Sequence, residues 1–347
     1  MIKHEYLNWM ARNTPTQWCN DSALTGDLDA ALESSAIGCT SNPPLTYQAL
    51  TTEPERYRAA MAEIPAFCKG DDRVVQLLGV VVRNISRRLQ GLYESSNGQF
   101  GYIRSQVQPA IGGDAAAMLR MGLWISTWGK NVMVKIPGTC SGIAVLEELA
   151  AAGIPTTPTV CVSIPQILAA CEAHERGVKR AMAAGKAPAP STAALVMGRL
   201  QDYLAALNEQ RGTKLATSDL ETAALAVTKR CYAIMQERGY RTLLMPAAFR
   251  APRQVSELAG AVAHMTIHPK IQEEIIAADA AGTIQRRIAI DDPVDMDAVG
   301  RVARALPEFQ CAFDPQGLKP EEFDAYGATV MTLDGFDKTG WQKLYTL

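Results

Sequence analysis

The regular alternation of short apolar segments with longer amphipathic segments constrains the fold of this chain more than any other feature. Alternating strands and helices predict a parallel sheet with right-handed crossovers, and eight such units fit a closed (β/α)8 barrel. The predicted strands are 16–20, 36–40, 100–107, 132–136, 157–162, 193–198, 242–247 and 262–267. The predicted helices are 71–94, 114–128, 142–152, 165–176 and 200–238, the last with a break near Gly212.

An open, doubly wound sheet is the alternative for an α/β chain of this kind. That fold usually carries a glycine-rich phosphate-binding loop after its first strand, and the sequence Trp18-Cys19-Asn20-Asp21 at that place has no glycine. We therefore expect an α/β protein with a single TIM-barrel domain over residues 1–347. Within it, 270–347 are expected to form a helical C-terminal extension that covers one end or flank of the barrel.

Composition excludes several classes of partner. Of the residues, 48% are hydrophobic and 20% are charged, and the formal net charge is -2, so nothing attracts the chain to a polyanion such as a nucleic acid. The longest apolar stretches, such as 77–82 and 243–249, are far shorter than the ~18 residues of a membrane span. The first residues show no secretory signal, and the eight cysteines are scattered singly without a C-x-x-C motif. We expect reduced thiols, a cytoplasmic location and no nucleic-acid or membrane partner.

Two histidines, His264 and His268, are four residues apart, a spacing that could bind a metal on a helix. The surrounding sequence AVAHMTIHP is rich in β-branched residues and ends at a proline, which is typical of a strand. We therefore expect no metal site there.

The segment VMVKIPGTCSGIAVLEELAAAGI, residues 132–154, carries the clearest chemical signal. Lys135 lies near the end of a strand of buried type, where desolvation disfavours the ammonium form. One interpretation is structural: the side chain extends out of the barrel end to a carboxylate. The other is that a lysine with a lowered pKa is a nucleophile that forms a Schiff base with a carbonyl carbon.

The surrounding motifs favour the second interpretation, because the chain resembles the transaldolase family along nearly its whole length. The V-K-I-P-x-T-x-x-G pattern of that family is matched at 134–142, and Gly153-Ile154 follows at the expected distance. Further family motifs are the T-S-N-P sequence at 40–43, the Thr159, Ser163 and Gln166 set, Gly198-Arg199 with Asp202, Phe249-Arg250, and Thr266-Ile267-His268-Pro269.

The resemblance implies a class I aldolase chemistry that needs no metal or other cofactor, with small-molecule sugar phosphates as ligands. Lys135 would form the Schiff base with C2 of a ketose, and Asp21 would take the C4 hydroxyl proton. Asn20 is the alternative for that position, but only Asp21 can titrate. Whether the protein forms a homo-oligomer stays open.

The same resemblance assigns the remaining site residues. Asn42 would hydrogen-bond hydroxyls of the dihydroxyacetone portion, and Thr159 would help to place the catalytic water. Arg199 and Arg250 would bind the terminal phosphate, which planar guanidinium groups can do bidentately. Substrate contacts are also expected from two further residues, Thr157 and Ser163.

Several departures from the family pattern bear on the reaction. Gln106 stands where transaldolases commonly have the glutamate that works with the water, and glutamine is what the fructose-6-phosphate aldolase type has. Thr157 replaces a frequent Asn, and Ala194 and Ala248 replace Ser residues near the substrate. These changes imply either a donor other than fructose 6-phosphate, including one with a sulfonate end group, or a shift from transfer towards simple aldol cleavage.

Three functions are therefore weighed. The leading hypothesis is transfer of a three-carbon dihydroxyacetone unit from a ketose phosphate to an aldehyde acceptor. The second is an aldolase that releases free dihydroxyacetone, and the third is a sugar-phosphate binding protein without turnover. Retention of both Lys135 and Asp21 argues against the third, since a binding protein gains little from a buried lysine.

Overall fold

The computed structural model describes residues 3–347 and contains eight strands. Each of them falls within or beside one of the eight segments predicted from the sequence. The strands are β1 Gln17–Asn20, β2 Gly38–Thr40, β3 Tyr102–Gln106, β4 Val132–Pro137, β5 Thr156–Thr159, β6 Thr192–Leu195, β7 Leu243–Pro246 and β8 His264–Ile267.

The strands are parallel and follow one another around a curled sheet. Six of them have the spatial order β5-β4-β3-β2-β1-β8, and β6 pairs with β7. Isolated parallel bridges connect the two groups: Thr156 to Ser191 and Cys161 to Leu195 join β5 to β6, and Leu244 to Ala263 joins β7 to β8. The predicted α/β barrel is therefore confirmed, and the carboxyl ends of its strands meet at one end, where barrels of this type place their sites.

One helix precedes β1 and the others lie between and after the strands. The long predicted segment 200–238 is two helices, as expected. The first of the two ends at Gly212, which adopts the left-handed conformation with φ 62 that glycine tolerates best. The helices are α1 Glu5–Asn13, α2 Thr25–Glu33, α3 Pro43–Thr52, α4 Pro54–Ala62, α5 Asp71–Ser95, α6 Ala115–Ser126, α7 Cys140–Ala152, α8 Ile164–Ala183, α9 Met197–Arg211, α10 Thr217–Arg238, α11 Pro252–Ser256, α12 Pro269–Ala280, α13 Met296–Ala305, α14 Glu308–Phe313, α15 Gly327–Phe336 and α16 Gln342–Leu344.

The chain after β8 is helical and returns to the carboxyl end of the barrel. A π-helical turn, Asp337–Trp341, connects α15 to α16 and packs on the start of α3. A Cβ atom on Gly340 would lie 2.3 Å from the ring of Pro44, so glycine is needed for this close approach. Trp341 is fully buried and donates from Nε1 to Asp71 Oδ1, 2.8 Å away. These contacts fix the end of the chain beside the residues that follow β2.

The helices of the described chain give no sign of a membrane span. Within residues 3–347 none combines the length and the apolar character that crossing a bilayer requires. His264 begins β8 and His268 directly follows its last residue, so the two are roughly 13 Å apart along an extended chain at ~3.3 Å per residue. The predicted strand is confirmed, and its geometry keeps these two side chains from sharing a ligand.

Candidate active site

Lys135 lies inside the barrel, in the middle of β4, and is 6% exposed. Its Nζ donates a hydrogen bond to the backbone oxygen of Ser41, 3.1 Å away, just after β2. Gln106 on β3 and Thr157 on β5 are its direct register partners. Because paired residues of a parallel sheet point to the same face, these three side chains form a row across the interior.

Burial is the largest influence on the ionisation of Lys135. The pKa is lowered to about 8, chiefly by desolvation and in smaller part by the nearby guanidinium of Arg104, while the carboxylate of Asp21 opposes both effects. At pH 7 an amine with this pKa is neutral in roughly one molecule in ten, against fewer than about one in a thousand for an ordinary lysine. The structure thus supplies the neutral amine that nucleophilic attack on a carbonyl requires.

Asp21 and Asn20, the two candidates for the acid/base position, have different surroundings. Asn20 is fully buried; its amide donates to Ser22 O at 3.1 Å and accepts from Gln272 at 2.9 Å. Asp21 lines a pocket at the carboxyl end of the barrel, and its Oδ1 accepts a hydrogen bond from Thr40 Oγ1 at 2.6 Å. The side chain that can titrate is therefore also the one that faces the pocket.

Gln106 has a buried side-chain oxygen with unused hydrogen-bonding capacity. The residue is 3% exposed, and its Oε1 accepts no hydrogen bond from any group in residues 3–347. Buried amide oxygens usually have a partner, because an unsatisfied one costs free energy. Beside Lys135, this oxygen is available to a water molecule or to a substrate hydroxyl.

The pocket at this end has a volume of about 410 Å³, within the usual range for a small-molecule site. Four of the residues predicted from the sequence line it: Asp21, Asn42, Arg199 and Arg250. Asn42 also caps α3, since its Oδ1 accepts from Leu45 N at 2.9 Å. The loops after β1, β2, β6 and β7 thus converge on one cavity.

The two arginines are held differently. Arg250 donates to both carboxylate oxygens of Asp202, at 2.9 and 2.5 Å, and from Nη1 to Ala248 O at 2.7 Å. Arg199 lies 5.4 Å over the ring of Phe336 and is 3.9 Å from Asp202, beyond hydrogen-bond length. Arg199 therefore retains donors for an incoming anion, whereas Arg250 is largely engaged by protein groups.

Five predicted site residues lie outside this pocket's lining: the buried Lys135 and Gln106 described above, together with Thr157, Thr159 and Ser163. Thr157 is fully buried, with its Oγ1 3.2 Å from Thr192 Oγ1, and Thr159 is buried two residues farther along β5. Ser163 caps α8: its hydroxyl donates to Gln166 Oε1 at 2.9 Å and accepts from Gln166 N at 3.4 Å. The hydrogen bonds of Ser163 thus serve the helix start, and its predicted contact with substrate stays a prediction.

The pocket also contains residues that the sequence did not indicate. Phe336 and Thr339 come from the C-terminal segment, and Lys270 comes from the start of α12. Phe336 is the last residue of α15, and its apolar character alone does not distinguish it from a core residue. The packing of α15 against α9 and of Gly340 against the start of α3 brings this segment to the site.

Comparison with known proteins agrees with this geometry. The profile of the Transaldolase/Fructose-6-phosphate aldolase family matches residues 19–312. A transaldolase of Thiobacillus denitrificans is 26% identical over 306 residues, covering 86% of this chain and 83% of that protein. Transaldolase 1 of Streptomyces coelicolor is 28% identical over 204 residues, which is 57% of this chain but only 53% of that relative's length. The chain belongs to the transaldolase/fructose-6-phosphate aldolase family.

Proposed function

We propose that this protein transfers a three-carbon dihydroxyacetone unit from a ketose phosphate to an aldehyde acceptor through a Schiff base on Lys135. The observation that carries the proposal is the buried amine of Lys135, whose pKa is lowered to about 8 and which lies within electrostatic reach of Asp21; Asp21 in turn lines a pocket that also contains two arginines. Sugar phosphates are the ligand class, since Arg199 and Arg250 lie together at the ends of late strands, where barrels often bind phosphate.

In the proposed mechanism the neutral Lys135 amine adds to C2 of the ketose, and loss of water gives the imine. Asp21 removes the proton of the C4 hydroxyl, the bond between C3 and C4 breaks, and an aldehyde leaves. The electron pair of the broken bond remains on the three-carbon fragment, which stays attached to Lys135 as an enamine. That enamine attacks the acceptor aldehyde, Asp21 returns the proton, and water hydrolyses the new imine to free Lys135.

The other predicted residues have supporting parts. Asn42 binds hydroxyls of the three-carbon fragment, Thr157 contacts substrate, and Thr159 and Gln106 hold the water that enters and leaves the imine. Arg199 binds the terminal anion directly, because its donors are uncommitted. Asp202 orients Arg250 alongside it.

A specific observation favours a second function, simple aldol cleavage with release of dihydroxyacetone. Gln106 occupies the β3 position in register with Lys135 and has no titratable proton, so it can hold water but cannot exchange a proton with it. A donor with a sulfonate end group is a further alternative, because two guanidinium groups would bind it as well.

The test is consumption of a panel of ketose phosphates, and of a sulfonated ketose, with and without erythrose 4-phosphate. Transfer predicts little consumption without acceptor and a seven-carbon ketose product with it. Simple cleavage predicts dihydroxyacetone from donor alone. Lys135→Met is the matched control. A lysine-dependent aldolase would be contradicted if this variant still consumed the donor, or if the native protein consumed none of the donors.

We also propose a cytoplasmic location. All eight cysteines are unpaired in the structure, and six of them are buried, as is usual for thiols kept reduced inside cells.

A further inference from the structure

A second cavity lies at the opposite end of the barrel, where the strands begin. It has a volume of about 470 Å³ and is bounded by the first residues of β3, β6, β7 and β8 and by the loops at 98–100 and 188–191. None of its lining residues belongs to the pocket that contains Asp21. The two cavities are therefore separate sites along one barrel axis.

Arg104 extends into this second cavity from the middle of β3 and is only 2% exposed. Its Nε donates to Thr192 Oγ1 at 3.2 Å, and its Nη1 lies 3.5 Å from Cys19 Sγ. Burial raises the pKa of Cys19, so this partner is a neutral thiol. Among residues 3–347 no carboxylate pairs with the guanidinium, although buried charges in proteins are usually paired.

The fold makes room for this guanidinium. A Cβ atom on Gly38 of β2 would lie 2.6 Å from Tyr102 O and 3.4 Å from Arg104 Nη1. Glycine at this point lets β2 approach β3 closely and leaves space for the guanidinium of Arg104. Arg104 is thus accommodated inside the barrel, where it cannot extend to solvent.

His264 supplies a second unused polar atom in the cavity. Its Nδ1 is buried and has no hydrogen-bond partner within residues 3–347. Burial, together with the charge of Arg104, lowers the pKa of His264 to about 3, so the imidazole is neutral at pH 7. A neutral imidazole protonated at Nδ1 can donate one hydrogen bond to an anion without adding charge.

Two further polar side chains of the cavity, His174 and Arg241, already have partners. His174 contacts Ala189 O at 3.0 Å through Nε2 and Thr242 Oγ1 at 3.1 Å through Nδ1. Arg241 at the mouth is paired with Glu175. The remaining walls are largely apolar, with contributions from Phe100, Met133, Pro188, Pro190 and Leu243.

We propose that this cavity binds a small organic carboxylate, whose oxygens accept hydrogen bonds from Arg104 and from His264 Nδ1. A planar guanidinium matches a carboxylate bidentately. One unpaired cation balances one negative charge, so a monoanion fits better than a dianionic phosphate. The apolar body of the ligand packs against Phe100, Pro190 and Leu243. This site does not depend on the proposed reaction, because it shares no lining residue with the other pocket.

Isothermal titration of the full chain with acetate, butanoate, benzoate, benzamide and inorganic phosphate tests the proposal. We expect one saturable site for benzoate or butanoate and at least roughly tenfold weaker binding of neutral benzamide, since a charge-assisted hydrogen bond is lost. Arg104→Met should weaken carboxylate binding by roughly tenfold to a hundredfold. Arg241→Met is the matched control, because it removes an arginine of the same cavity that is already paired, and it should leave affinity within about twofold.

A second variant covers the case in which Arg104→Met does not fold, as judged by circular dichroism. Pro188 is exposed at the cavity mouth, and Pro188→Trp should narrow the entrance and weaken carboxylate binding without touching the core. The proposal is overturned if no carboxylate saturates the protein at millimolar concentrations, if benzamide or phosphate binds as tightly, or if the folded Arg104 and Pro188 variants bind as the native chain does.

Discussion

The interior of this barrel contains two buried basic residues on neighbouring strands, Lys135 on β4 and Arg104 on β3, and their surroundings differ. Lys135 lies within electrostatic reach of Asp21, which lines the pocket at the carboxyl end, and burial lowers the pKa of this lysine to about 8. At the amino end, the side chain of Arg104 hydrogen-bonds, within residues 3–347, only to a hydroxyl and a thiol. A lysine relieves its own burial by losing a proton, whereas an arginine stays charged at any ordinary pH. The comparison teaches that burial lowers the pKa of the lysine, which suits its proposed role as a nucleophile, but leaves the arginine charged, which suits its proposed role in binding an anion.

The largest effect is expected at the carboxyl end, from Asp21→Asn. Imine formation on Lys135 should persist, while cleavage between C3 and C4 should fall by about 10² to 10⁴, the usual contribution of a general acid/base. Rapid-quench measurement of aldehyde release, beside trapping of the imine, separates the two steps. Restored cleavage in the double variant Asn20→Asp/Asp21→Asn would show that a carboxylate at position 20 can act in place of Asp21. Undiminished cleavage in Asp21→Asn alone would exclude Asp21 as the acid/base.

The next effect concerns the anion that binds at the same end. Arg199→Ala should lower kcat/KM for a phosphorylated donor by roughly tenfold to a hundredfold or more, because charge-assisted hydrogen bonds of about 1.5 to 3 kcal/mol are lost. Arg250→Ala should also lower it and leave Asp202 without its bidentate partner. An uncharged ketose is the control, and equal losses on both donors would show that these arginines are structural.

A smaller, qualitative effect is expected from Gln106→Glu. The two side chains are nearly isosteric, so the fold should be kept, but a titratable group would then lie in register with Lys135. We expect a severalfold change in the ratio of transfer to dihydroxyacetone release, measured by quantifying both products with a fixed acceptor. An unchanged ratio would place the water elsewhere than at β3.

The smallest effect is expected from Arg104→Met, and it links the two ends. The positive charge of Arg104 lowers the pKa of Lys135, so its removal should raise that pKa and move the midpoint of imine formation to higher pH. Asp21→Asn should move the midpoint the opposite way, because the carboxylate raises the pKa. The pH dependence of adduct formation over roughly pH 6 to 10 measures both shifts. Equal midpoints would show that the two ends are electrostatically independent.

The sequence was most informative where local pattern decides structure. All eight strands and the break at Gly212 follow from apolar periodicity and from glycine's tolerance of a positive φ, and the structure confirms them. The resemblance to the transaldolase family indicated Asp21, Asn42, Arg199 and Arg250 together, and their convergence has a simple physical reason, because parallel strand ends share one edge.

Features created by long-range packing were not accessible in this way. Phe336 reaches the pocket because Gly340 lets the chain end pack closely on Pro44, and nothing near residue 336 signals that contact. The sequence likewise could not show that the hydroxyl of Ser163 caps α8, since a serine before a helix can either cap the helix or contact a ligand. Arg104 lies in a strand with the sequence YIRSQ, and that sequence does not show that the guanidinium will be buried without a carboxylate partner.

The most direct test of the account is reduction with borohydride in the presence of a ketose donor, followed by peptide mass mapping. Reduction converts the imine to a stable secondary amine, so the account predicts a three-carbon addition on the peptide that contains Lys135 and none in Lys135→Met. Trapping should increase as the pH rises through about 8, since the neutral amine is the reactive form. An adduct on another lysine, or no adduct with any ketose, would contradict the assignment of Lys135 as the nucleophile.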